Sequence, residues 1–114
     1  MADEIRDRLS GALKDAMRQR NADAVSAYRS ALSAIANAEA VEPDSGPGLR
    51  PRIGVGAADV ARRNPSDAEL IEILEAEVAE REDAAAEYER LGRMEQALTL
   101  RAQAAILVRF LRGS

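Results

Sequence analysis

Residues 66–111 read SDAELIEILEAEVAEREDAAAEYERLGRMEQALTLRAQAAILVRFL. Ser66-Asp67-Ala68-Glu69 is a capping box: the serine caps the first turn and the glutamate three residues on reaches back to the cap. Pro65 sits just before it. Ile71, Leu74, Val78, Arg81, Ala85 and Tyr88 then recur at 3-4-3-4-3 spacing, a heptad-like seam along one helix face. Leu91 ends the seam, and Gly92 supplies the left-handed residue that closes a helix C-terminus. At 1.5 Å per residue this helix is ~37 Å long. A second helix follows from about Arg93 to Leu111, with Ala97, Leu100, Ala104, Leu107 and Leu111 as its apolar stripe. The stretch is therefore a long helical hairpin.

The residues before it predict a shorter hairpin. Ile5, Leu9, Ala12, Leu13, Ala16 and Met17 fall on one helical stripe between Asp3 and Arg20. Asp3, Glu4 and Asp7 in the first turn and Arg18 and Arg20 in the last suit the helix dipole. Asn21 breaks the pattern. A slim second helix from Ala22 to Glu39 carries Val25, Tyr28, Leu32 and Ile35 among small Ala and Ser residues. Between the hairpins, residues 40–65 hold Pro43, Gly46-Pro47-Gly48, Pro51, Gly54, Gly56 and Pro65, a density that stops any continuous helix. Ala57–Arg63 has room for one short helical turn. The expected architecture is all-α: four main helices as two helical hairpins, 1–39 and 66–112, with a long Gly/Pro-rich loop at 40–65. Together they make one helical domain over residues 1–114.

Composition bounds the chemistry. The 114 residues include one Phe, two Tyr, no Trp, no Cys and no His. The core is thus built from Ala, Leu, Ile and Val, and thiol chemistry and imidazole catalysis are excluded. No run approaches the ~20 apolar residues of a membrane span, and the acidic start Met1-Ala2-Asp3-Glu4 lacks a signal-peptide pattern. A cytoplasmic protein without a membrane partner is expected. The net charge of −4 is unevenly spread: residues 67–89 carry ten acidic side chains and one basic one, Arg81. Such acidity argues against an autonomous nucleic-acid binder, which shows a basic face.

No constellation reads as a reaction centre. Ser10 and Lys14 lie one turn apart, but no oxyanion-hole loop follows them. The carboxylates of the third helix come from one helix and lack histidine partners, so they read as a solvated face and no metal or cofactor is expected. Arg81 interrupts an apolar seam. It is either paired with Glu77 one turn earlier or held to grip a carboxylate or phosphate. Tyr28 and Tyr88 lie on apolar stripes and read as core residues. Arg50, Arg52, Arg62 and Arg63 place four cations in the loop, diluted by Glu42, Asp44 and Asp59. Ile106, Val108, Phe110 and Leu111 make the end of the fourth helix apolar on more than one side, a candidate interface for a homodimer.

Leu13-Lys14-Asp15-Ala16-Met17, Arg20-Asn21, Tyr28-Arg29, Leu32, Ala34-Ile35 and Asn37-Ala38-Glu39 form one set of motif residues. The capping box, Ile71, Leu74, Glu77, Arg81, Tyr88, Gly92-Arg93, Ala97 and Ile106-Leu107 continue it. With these residues the chain resembles the N-terminal part of the GatB/YqeY family: small all-helical proteins similar to the tail domain of the B subunit of tRNA-dependent amidotransferases. It departs at Arg101 and Gln103, where the family is acidic, and at Phe110-Leu111-Arg112, which replaces a Tyr-Leu-Pro junction. The resemblance implies an accessory part of a carbon–nitrogen ligase that uses glutamine as amido donor. Such a part has no catalytic residues or autonomous activity of its own. The implied partners are tRNA or an amidotransferase-like complex, with Arg29, Asn37, Arg81 and Arg93 as candidate contacts. The residues alone also support a second reading, a helical interaction or dimerisation module with no nucleic-acid role.

Overall fold

A computed structural model describes residues 2–40 and 64–113. The expected Gly/Pro loop, its short helical turn and its four arginines lie almost wholly outside the described residues. Among the described residues four helices run in chain order: α1 (Ala2–Arg18), α2 (Ala22–Glu39), α3 (Asp67–Arg90) and α4 (Met94–Leu111). They form the two expected hairpins, α1 against α2 and α3 against α4, and α2 bridges the pairs by packing on both α3 and α4.

The caps explain the boundaries. Met17 and Ala16 carbonyls accept from the Arg20 and Asn21 N–H groups at 3.1 and 3.0 Å, a Schellman closure of α1. Arg20 takes the left-handed conformation this closure needs, with φ 57°, so α1 stops two residues short of Arg20. Asn21 then caps α2, its side-chain oxygen accepting from the Ala24 N–H at 3.1 Å. The capping box at α3 is complete: Ser66 Oγ accepts from the Glu69 N–H at 3.1 Å, and Glu69 Oε1 from the Ser66 N–H at 2.8 Å. At the far end Gly92 has φ 79°, and the Arg93 N–H reaches back to the Tyr88 carbonyl at 2.8 Å. That is a second Schellman closure, here with glycine at the left-handed position.

The core lies where α1 and α2 meet the base of the long hairpin. Leu9, Ala27, Ala31, Ile35, Leu70, Leu74, Leu107 and Phe110 form one buried cluster. Fully burying a leucine here contributes ~1.5–3 kcal/mol. The start of α3 corrects the predicted seam: Leu70 is fully buried and Ile71 is 40% exposed. Leu70 and Leu74 are one turn apart and face the core together, which rotates Ile71 outward. Among the described residues, the cluster and the side chains packed on it draw nothing from residues 79–105. That distal half of the α3–α4 hairpin is closed instead by the small residues Ala85 and Ala97, both buried. It forms an arm on the body.

Candidate functional site

Arg81 is part of the frame. It donates from one terminal nitrogen to the Glu77 carboxylate at 2.9 Å and to the Glu77 carbonyl at 3.2 Å, and from Nε to Gln103 Oε1 at 3.2 Å. Ser30 of α2 donates its hydroxyl to the same Glu77 carboxylate at 2.7 Å. The Arg81 and Glu77 side chains are only 10% and 13% exposed, and Gln103 is buried. Four polar residues thus tie α2, α3 and α4 together where body becomes arm. A guanidinium this engaged has little left to offer a ligand. Gln103, one of the two α4 positions where the resembled family is acidic, is its neutral partner. Arg101, the other, pairs with Glu89 across the arm at 3.0 Å. Glu89 raises the Arg101 pKa above its already high ordinary value, first by the hydrogen bond and then by charge. The group stays protonated in both folded and unfolded chains until far into the alkaline range, so the pair adds no pH dependence near neutrality.

The other sequence candidates are not brought together. Asn37 is exposed near the C-terminal end of α2. Arg93 is exposed at the turn between α3 and α4, on the arm. Arg29 is exposed and lines a groove beside the α1–α2 elbow with Met17, Arg20, Ala22, Val25 and Ser26. Among the described residues neither Arg20 nor Arg29 pairs with a carboxylate. The four interface candidates also divide. Phe110 is buried, 8% exposed, in edge-to-face contact with Tyr28 (ring centroids 6.3 Å apart). Ile106 and Leu111 pack partly on the core cluster, and Val108 is half-buried. The apolar end of α4 is therefore largely consumed by α1 and α2.

A cleft that the linear sequence did not reveal opens on the other side of the elbow, between α1, α2 and the end of α4. Its volume is about 530 Å³. Tyr28, Phe110, Ile106, Ala16 and Ala24 form its apolar lining, Gly11 and Ala12 of α1 one wall, and Arg8, Asp15, Gln19, Asn21 and Arg109 its polar rim. The Arg8 guanidinium carbon stands 4.3 Å from the centre of the Phe110 ring, and one of its nitrogens donates to the Phe110 carbonyl at 3.1 Å. Stacking and hydrogen bond hold this cation in place, and among the described residues no carboxylate pairs with it. Asp15 is engaged by Arg18 at 2.8 Å, which leaves Arg8 without an acid on the rim to pair with. Gly11 is the signal the sequence did hold. A glycine inside a helix costs ~0.5–1 kcal/mol against alanine, yet a Cβ at Gly11 would meet nothing within 4 Å. Nothing in the described chain requires the missing side chain.

Comparison with family models, with curated proteins and with solved structures finds no match to this chain. Among the described residues no group of three or more acidic side chains is placed to hold a metal ion, and no described helix is long and apolar enough to cross a membrane.

Proposed function

We propose that this chain is a non-catalytic helical accessory domain of the amidotransferase-tail type, which helps hold tRNA or a tRNA-linked enzyme. The observation that carries the reading is the elbow groove, where Arg20 and Arg29 stand exposed on one lining and, among the described residues, without carboxylate partners. Two such cations on a rigid helical elbow suit phosphate oxygens. The motif residues behind the resemblance support an accessory role too, because several of them build the frame. Asn21 caps α2, Gly92 closes α3, and Glu77 and Arg81 brace the helices. The acidic face of α3 turns away polyanions, so tRNA contact falls to the elbow side.

The test is a tRNA titration by fluorescence anisotropy at two salt concentrations. Saturable binding that weakens steeply with salt is expected. Arg29→Ala should weaken it and lower the salt slope by about one unit. Arg20→Gly is the sharper variant. It removes the charge and relieves a left-handed arginine, a conformation that costs ~1–2 kcal/mol for residues with a side chain. Its melting temperature should hold or rise while binding falls. Binding that both variants leave intact, or that salt does not touch, contradicts the reading.

A further inference from the structure

The cleft on the opposite side of the elbow is independent of the tRNA reading. We propose that it receives the N-terminal half of α3 from a second copy of this chain.

Charge and shape both point there. The rim presents Arg8, fixed over the Phe110 ring with donors to spare. A guanidinium carries five N–H donors, and Arg8 commits one of its nitrogens to the Phe110 carbonyl. The acceptors it fits are carboxylates. The molecule offers them on α3, where Glu72 and Glu75 are exposed next to the outward-turned Ile71, both on one side of it. That face is an apolar side chain with acids beside it. The cleft is an apolar floor with the Arg8 cation on its rim. Ile71 meets Tyr28, Phe110 and Ile106, and the glutamates meet Arg8.

Gly11 supplies the clearance. Helices approach closely where one of them lacks a side chain, and the Gly11 surface is open in the single chain. The glycine is thus explained by a neighbour that arrives from outside. Both surfaces also border one core, since Phe110 under the cleft and Leu70 beside Ile71 belong to the same cluster. A two-fold axis can therefore pair cleft with α3 reciprocally and close a dimer, with the same contact made twice. The cleft takes in one side of the end of α4, where Ile106 and the edge of Phe110 line its floor.

The experiment is sedimentation equilibrium on the full chain across protein concentration, at low and high salt. A reversible dimer is expected at low salt, with a dissociation constant at least about tenfold weaker at high salt as the charge pairs are screened. Gly11→Leu fills the cleft without opposing the helix, so it should be a monomer that melts no lower than the parent. Arg8→Glu and the double variant Glu72→Arg/Glu75→Arg should each be monomeric alone, and their equimolar mixture should recover a dimer, because the mixed pair has the charge-swapped contact on one side and the parental contact on the other. A parent chain that stays monomeric at every concentration in low salt overturns the proposal. So does a dimer that Gly11→Leu leaves intact, or a mixture that fails to associate while both variants remain folded.

Discussion

The body and the arm of this molecule are made from the same two long helices and held by different means. At the base, α3 and α4 bury Leu70, Leu74, Leu107 and Phe110 against α1 and α2. Toward the turn they have only each other, closing over Ala85 and Ala97 and leaving Leu91, Met94 and Leu98 more than half exposed. The body stores its stability in large interlocked side chains. The arm relies on backbone hydrogen bonds, small contacts and an exposed ion pair between Arg101 and Glu89. Between them lies the brace of Ser30, Glu77, Arg81 and Gln103. The difference teaches where function can sit. The two grooves beside the elbow belong to the body, whereas the arm offers a groove lined by Tyr88, Glu95, Gln96, Thr99 and Leu100, one candidate cation, Arg93, and three exposed apolar side chains.

Leu74→Ala should break the comparison most severely. It removes a fully buried side chain from the body, so an unfolding free-energy loss of ~2–5 kcal/mol is expected from chemical denaturation. A loss near zero would remove Leu74 from the core. Arg81→Ala comes next, at about 3 kcal/mol, because it leaves the largely buried Glu77 carboxylate without its cation. Arg81→Met should recover part of that loss by filling the volume, but Glu77→Gln combined with it should recover more. Equal stabilities for all three would mean that the brace is ornamental. Leu98→Ala on the arm should change stability by less than ~0.5 kcal/mol, as an exposed position does. A loss comparable to that of Leu74→Ala would show the arm to be packed like the body.

Much of this was legible in the sequence, for reasons that are local. The capping box, Asn21 and Gly92 are short-range signals, each satisfied by its own backbone neighbours, and they set the helix ends correctly. The apolar stripe of α4 also held, because Ala97, Ala104 and Leu107 have only one consistent face. The start of α3 did not. Leu70, Ile71, Ile73 and Leu74 are all apolar, so Leu70–Leu74 at four-residue spacing and Ile71–Leu74 at three are equally good patterns. Packing on Ile35 and Leu107 decides for Leu70. Arg81 was readable as a partner of Glu77 one turn away, but Ser30 and Gln103 came from two other helices. The cleft was out of reach because its Arg8–Phe110 contact joins residues 102 positions apart. Its one linear trace is Gly11, a helix-interior glycine whose significance shows only once the space beside it is seen to be open. Phe110 shows the converse: at an apolar helix end the sequence does not say how much its own chain already covers.

Native-state hydrogen exchange along α3 tests the division most directly, because one continuous helix crosses both regions. The amides of Leu74 to Val78 should exchange only through global unfolding, with the full stability of the chain as their opening free energy. Those from Ala85 to Arg90 should open at markedly lower free energy, with weak dependence on denaturant, as a locally opening unit does. Uniform protection from Leu74 to Arg90, all with the denaturant dependence of global unfolding, would contradict the account and make body and arm a single cooperative block.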